Sequence, residues 1–458
     1  MARWPLEETG RNSVAPWMIP KSRASNQFMG SMFGTRYRVQ SVIPEALGPA
    51  LSPRDSLSRQ RFHDDSMRIL HIIARLNDGG PTRVLREWCR GLEEHGHQVH
   101  ILCGRCDANE PDMSQLLRAE GIGMTILPEL GRGLHPLRDL IALQRLCRAI
   151  RRLQPDLIHT HTAKAGFLGR LAARLCRRPC LHSYHGHVLS GYWSRPINAC
   201  FIALERLAAR WGHCHSLSPG LVAELRDGCG IGRRQRWHYL PIPIRALTPD
   251  PDPPRARAEA WDLQGWDPLV PTIGILGRLV PVKQPLLALE AVALAAQQRP
   301  LQCLIMGDGP LRPQVEAAIA AGGLRAWCTG FVPAAAGLGL CQLLLLSSRN
   351  EGTPLSVIEA ASLGLPVVAT AVGGLRDLQP GPHLHLVPVT AKDLAAAIVS
   401  VLAQREDATL AAQITSGGRK LAESFAPAAL IPGYIHLYRS LIAEHQRANP
   451  PCPDSRPC

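Results

Sequence analysis

The sequence predicts an α/β protein of two doubly wound parallel-sheet domains facing each other across a cleft. Three observations carry this expectation. From Met67 onward, short apolar runs alternate with segments of helical period, as strand–helix–strand crossovers require. A proline-rich stretch from Pro241 to Pro254 interrupts the alternation and reads as a linker. A second series of the same kind then opens at Thr272-Ile273-Gly274-Ile275-Leu276-Gly277. The chain has 458 residues and a hydrophobic content of 46%, enough to fill the cores of two or three domains.

The elements follow in order. Residues 1–66 are rich in Ser, Arg, Pro and Gly without a sustained period, and read as a disordered extension or a mis-assigned start. Met67 to Ala74 forms a first strand, followed by the turn Asn77-Asp78-Gly79-Gly80 and a helix over 82–95. Strand 98–103, helix 112–120, strand 123–127, helix 136–153, strand 156–161, helix 164–176, strand 180–184 and a helical stretch 196–211 complete a first domain, 67–245. The second domain, 246–445, continues with strand 301–306, helix 310–321, and strands near 326–329, 342–346 and 366–370. Its last helix is free to cross back to the first domain, and 446–458 reads as a flexible tail. In sheets of this type ligands sit beyond the carboxyl ends of the strands.

Charge is unevenly distributed. Of the net +14, residues 67–245 hold +12 (26 basic, 14 acidic), whereas 246–458 hold −1. Such a basic half suits nucleic acid or an anionic membrane surface. No nucleic-acid motif or aromatic–basic period is present, so no nucleic-acid partner is expected and the membrane is favoured, with a merely solvated basic face as the alternative. Arg195, Arg206 and Arg210 flank an apolar stretch from Ile197 to Trp211 that could face a membrane or the core. No apolar run approaches the roughly 20 residues that span a bilayer, and no signal-type core precedes Met67. The 14 cysteines are scattered, with Cys103-Gly104-Arg105-Cys106 the one CxxC, so reduced thiols in a cytoplasmic protein are expected.

The most informative segment runs from Ser348 to Ala360. The apolar run Leu343–Leu346 precedes it. Leu355, Ile358 and Ala361 then recur at helical spacing until Gly364. Thr353 sits where an N-cap belongs and Pro354 at the first helical position, leaving the amides of Leu355 and Ser356 to face a phosphate. Glu351 lies before the helix and Glu359 within it. Carboxylates repel phosphate but accept hydrogen bonds from sugar hydroxyls. The combination points to a nucleotide sugar.

Taken together, Gly79-Gly80, Gly277-Arg278-Leu279 with Lys283, Gly307-Asp308-Gly309-Pro310, and the paired glutamates followed by Gly364-Leu365-Pro366-Val367-Val368-Ala369-Thr370 resemble family 4 retaining glycosyltransferases of the GT-B fold. The resemblance covers roughly 67–445. His159-Thr160-His161-Thr162-Ala163-Lys164-Ala165-Gly166 and Tyr184-His185-Gly186-His187 resemble the branch that builds bacterial surface polysaccharides. The chain departs from that pattern at Tyr239–Ile244, where relatives commonly carry an Asn-Gly turn.

The resemblance implies two Rossmann-like domains, the first serving the acceptor and the second the donor. It implies that Arg278 and Lys283 neutralise the donor diphosphate, that Glu359 binds the ribose, and that Glu351 faces the donor sugar beside the backbone of Gly352, Thr353, Pro354, Leu355 and Ser356. Gly307, Asp308 and Val332 would border the nucleobase, with Gly277 and Gly80 close to the donor. His185 would stand beside the reacting sugar. His161 and Lys164 are expected on the acceptor side, with Arg170 and Arg174 near an anionic acceptor. No metal or other cofactor is implied; HxH pairs also occur at 95/97, 185/187 and 213/215, which argues against a dedicated metal pair at His159 and His161.

The implied activity is retaining transfer from a nucleotide sugar, with UDP the expected base, to a lipid-linked or growing glycan at the inner face of the cytoplasmic membrane. The alternatives are a catalytically silent scaffold, against which the intact Arg278, Lys283, Glu351 and Glu359 argue, and a non-hydrolysing nucleotide-sugar epimerase, which would need further acid/base carboxylates. No strand–GxGxxG–helix unit supports a dehydrogenase.

Overall fold

The computed structural model describes residues 66–107, 110–131, 133, 135–186, 195–233 and 236–450. The expectations for residues 1–65, for His187 and for 451–458 lie outside the described residues.

The first half contains β1 (Arg68–Ile73), α1 (Gly80–Glu94), β2 (Gln98–Cys103), α2 (Ser114–Ala119), β3 (Gly123–Ile126), α3 (Pro136–Leu153), β4 (Leu157–His161), α4 (Ala163–Leu175), β5 (Cys180–Tyr184), α5 (Arg195–Ala208), β6 (His213–Ser216), α6 (Pro219–Val222) and β7 (Trp237–Tyr239). The second contains α7 (Pro254–Ala260), β8 (Thr272–Leu276), α8 (Pro285–Ala296), β9 (Gln302–Met306), α9 (Arg312–Gly322), β10 (Ala326–Gly330), α10 (Ala334–Leu338), β11 (Leu343–Leu346), α11 (Leu355–Ser362), β12 (Val367–Thr370), β13 (Leu384–Val387), α12 (Ala391–Glu406), α13 (Ala408–Ser424) and α14 (Pro427–Ala448).

The strands form two parallel sheets, β3-β2-β1-β4-β5-β6-β7 and β10-β9-β8-β11-β12-β13. Strand order therefore reverses between β1 and β4 in the first sheet and between β8 and β11 in the second. These are the switch points outside which doubly wound sheets bind ligands.

The local reasons are plain. In α1, Val84, Leu85, Trp88, Cys89 and Leu92 recur on one buried face. β4 and β5 are buried throughout, covered on both faces as parallel strands require. The sequence missed β6 and β7, which have only four and three residues and too few alternations to show a period. It also missed α8, because Pro285-Leu286-Leu287-Ala288-Leu289 and the residues after it are apolar around most of the helix.

One core runs under both sheets, from Ile69 and Trp88 to Leu304 and Val357. α14 helps to close it, reaching back from the second half to α1 and β4. Gly91 permits that approach, since a Cβ there would stand 2.5 Å from Cγ1 of Ile431. α14 extends past the expected domain end at 445, to Ala448. All of the described cysteines, Cys103 and Cys106 among them, are free thiols.

Candidate active site

The second sheet supplies a cationic pocket at its switch point. β8 delivers Gly277 and Arg278, and β11 delivers Ser347, Ser348 and Glu351 to the same pocket. Gly277 has φ 151° and Gly307 φ 150°. A Cβ on Gly307 would lie 2.0 Å from the Gly277 carbonyl oxygen, so the two turns touch backbone to backbone. Arg278 is exposed. Lys283 closes a short 3₁₀ turn, and its Nζ stands 2.5 Å from Oε1 of Glu351. Ser348 Oγ donates to the same oxygen at 2.5 Å, and the Glu351 side chain is only 8% exposed. At the neighbouring turn, Asp308 accepts from Arg312 at 2.9 Å and from the amide of Gly309, while Val332 packs against the core.

α11 starts one residue later than expected. Pro354 is its N-cap, and no side chain caps the helix. The Thr353 hydroxyl instead donates to the Leu217 carbonyl, 3.4 Å away on the first half of the chain. Loop contacts across the cleft thus outcompete the local cap. The amides of Leu355 and Ser356 still open the helix, as an anion site requires.

The two halves meet closely here. A Cβ on Gly80, at the start of α1, would lie 3.4 Å from Cδ1 of Leu355, at the start of α11, so two helix N-termini converge. Arg83, one turn into α1, reaches Oε1 of Glu359 at 3.2 Å and Oδ1 of Asp78 at 2.8 Å. Burial pushes the Glu359 carboxyl above its ordinary range, and Arg83 partly offsets that rise.

His185 follows β5, and its carbonyl oxygen would stand 3.0 Å from a Cβ on Gly352. The backbone at His185 therefore adjoins the Glu351–Gly352 loop, and the residue itself is half-buried. Its Nε2 lies 3.0 Å from Nδ1 of His161, whose Nε2 lies 3.0 Å from Nδ1 of His71. Burial lowers the His185 imidazole to about 4 and His71 to about 3, and holds His161 well below the usual range. His161 is fully buried, so it reaches the cleft only through His185. Lys164 is likewise not free: it pairs with Asp139 at 2.6 Å and its side chain is 9% exposed. Arg170 cannot meet an acceptor, because it is buried in an ion pair with Glu205 at 2.7 Å.

His71, His159 and His161 offer nitrogens within 4.8 Å of one another, the one such grouping among the described residues. His159, however, already spends both nitrogens, on Tyr438 Oη at 2.7 Å and Ser183 Oγ at 2.6 Å.

Two protein families match the chain: residues 79–243 match the glycosyl transferase 4-like domain, and residues 270–404 match the glycosyl transferases group 1 domain. The chain belongs to the GT-B glycosyltransferases. It is 26% identical over 334 residues to the Escherichia coli UDP-Gal:alpha-D-GlcNAc-diphosphoundecaprenol alpha-1,3-galactosyltransferase, covering 67% of this chain and 80% of that one. It is 30% identical over 288 residues to a GDP-mannose-dependent alpha-mannosyltransferase of Mycobacterium tuberculosis, covering 60% and 72%. The fold matches the crystal structure of Anabaena Alr3699/HepE in complex with UDP and glucose at TM-score 0.68 and 20% identity, over 82% of this chain and 100% of that one.

In this glycosyltransferase the sequence pointed to the residues around Lys283 and Glu351, which the β8/β11 switch point brings together. It gave no signal for Arg83, a helical arginine among many until α11 is folded against α1. Nor did it single out His71, whose ring faces His159 across a parallel register.

Proposed function

We propose that this glycosyltransferase moves a sugar, with retention, from a UDP-sugar to a lipid-linked or growing glycan acceptor in surface-polysaccharide biosynthesis. The observation that carries this reading is the pocket at the β8/β11 switch point, where Arg278, Lys283 and Glu351 line one cavity. Arg278 and Lys283 would take up the negative charge that grows on the diphosphate as the anomeric bond breaks, with no metal required. Glu351 would hold donor-sugar hydroxyls and Glu359 the ribose. Two carboxylates flanking a sugar suit a glycosidase-type nucleophile when both are free. Here Glu351 is held by Lys283 and Ser348, and Glu359 by Arg83. Same-face attack, with the departing phosphate taking the acceptor proton, fits those commitments better. The activities of the Escherichia coli and Mycobacterium relatives, one using a UDP-sugar and one GDP-mannose, support the donor class. The first of them, with its diphosphoundecaprenol acceptor, supports the lipid link.

The basic first half would face the cytoplasmic membrane that holds such an acceptor. On α3, Leu137, Leu140 and Ile141 are exposed at one end, and Arg145, Arg148, Arg151 and Arg152 follow at the other. Among the described residues no helix is long and apolar enough to cross a membrane.

The decisive experiment incubates the purified protein with UDP- and GDP-sugars and polyprenyl-diphosphate glycans, with and without a chelator. Product is followed by mass, and its anomeric configuration by NMR. A retained product from a UDP-sugar, unaffected by chelator, is expected. An inverted product, or neither transfer nor nucleotide binding across the panel, overturns the proposal.

A further inference from the structure

We propose that His71, His161 and His185 form a tautomer-setting chain that makes His185 present an N–H donor, at Nδ1, to substrate in the cleft, with His71 as the positioning residue at its inner end. The three rings are joined head to tail by two nitrogen–nitrogen contacts of 3.0 Å. A neutral imidazole carries one N–H, so every ring in such a chain must donate in the same direction. Burial keeps all three neutral.

The inner end decides the direction. Nε2 of His71 is buried with no hydrogen-bond partner, in a ring whose centroid stacks 6.4 Å from that of Trp88. Unpaired buried N–H groups are rarer in folded proteins than acceptors with an unfilled lone pair, and the indole N–H of Trp88 beside this ring is already one such group. Nε2 of His71 is therefore the bare lone pair, and its proton sits on Nδ1. That N–H donates to Nε2 of His161, whose Nδ1–H donates to Nε2 of His185. The remaining proton of His185 must then be on Nδ1, so the residue meets substrate as a donor rather than as a base.

A neighbouring network is fixed by the same logic and cannot reverse the first. The Tyr434 hydroxyl, 3.1 Å from Nε2 of His215, donates to the Pro241 carbonyl at 2.9 Å, and the Leu240 carbonyl accepts from that Nε2 at 3.0 Å, which leaves Nδ1 of His215 to accept from the Ser183 hydroxyl at 2.6 Å. Ser183 then accepts from Nε2 of His159, and Nδ1 of His159 accepts from Tyr438. Every nitrogen of His159 and His215 is accounted for, so neither can fill the vacancy on His71.

What the His185 N–H meets rests on the donor-site reading above; the tautomer itself does not. The test uses full-length protein labelled with ¹⁵N-histidine and long-range ¹H–¹⁵N correlation, with His185 assigned from a His185→Gln spectrum. A neutral His185 protonated at Nδ1 is expected, and one protonated at Nε2, or an imidazolium at neutral pH, overturns the proposal. In a second arm, His71→Asn places an amide N–H near the position of Nδ1 and should keep the His185 tautomer. His71→Leu should let it average between the two forms and lower kcat about tenfold with little change in the donor KM. An unchanged His185 signal in folded His71→Leu protein also overturns it. If the donor panel fails while the spectrum shows the Nδ1 proton, the function is wrong and the chain of histidines stands.

Discussion

Glu351 and Glu359 lie eight positions apart in sequence and are held by different cations, which gives them separable roles. Glu351 takes Lys283 from its own half of the molecule; Glu359 takes Arg83 from the other. Glu359→Ala should weaken nucleotide binding by about tenfold, while Glu351→Ala mainly lowers turnover. Calorimetry with UDP and steady-state kinetics separate the two, and equal effects in both assays would refute the assignment. Glu359 also predicts a pH dependence. Its carboxyl is raised by burial, and only the ionised form accepts fully from ribose hydroxyls, so UDP affinity should strengthen as pH rises through the mildly acidic range. Arg83 lowers that carboxyl, so Arg83→Ala should move the midpoint to higher pH. A midpoint that stays put or falls argues against the pairing. The carboxylates themselves were legible because a strand, a Pro-started helix and two glutamates fall within one short segment. Arg83 was not, because nothing local distinguishes an arginine that will find its partner 276 positions away.

At the level of elements, β1, β4, β5 and β6 carry His71, His159, His161, His182 and His215 into the sheet interior, each almost wholly buried. All five imidazoles are pushed down by burial, His71 and His215 to about 3. A depressed folded value means the folded state refuses a proton that the unfolded chain accepts. Stability is then full above the unfolded value of about 6.5 and is lost as pH falls, by ~1.4 kcal/mol per histidine per pH unit. Urea midpoints should therefore drop steeply between about pH 7 and about pH 5. A flat midpoint over that range would show that these rings are not buried neutral. β1, β4 and β5 were readable from their apolar runs and β6 was not, and the burial of their histidines was not readable in any of them, since a period-2 pattern places a residue on a face without saying what covers it. Here Trp88 of α1 and the two tyrosines of α14 cover it. In the same way the Thr353 cap gave way to a cross-cleft contact.

Across the whole molecule, the net charge of +12 over residues 67–245 is the feature that bears on location. With the exposed leucines and arginines of α3, it predicts binding to vesicles containing anionic lipid, lost at about 0.5 M salt and absent with neutral lipid alone. Co-sedimentation measures this, and equal binding to both vesicle types would remove the electrostatic argument. The sequence by itself determined the two doubly wound sheets, the linker and the donor-side motifs, because period, breakers and glycine turns are written over a few neighbouring residues. Tertiary structure alone decided which groups meet: Arg83 with Glu359, His185 with the Glu351–Gly352 loop, and α14 with the first sheet. It also took Arg170 and Lys164 out of reach of an acceptor by pairing them with Glu205 and Asp139. The physical reason is that a buried charge or imidazole is stable only with a partner, and in this fold those partners come from distant elements that the local pattern cannot name.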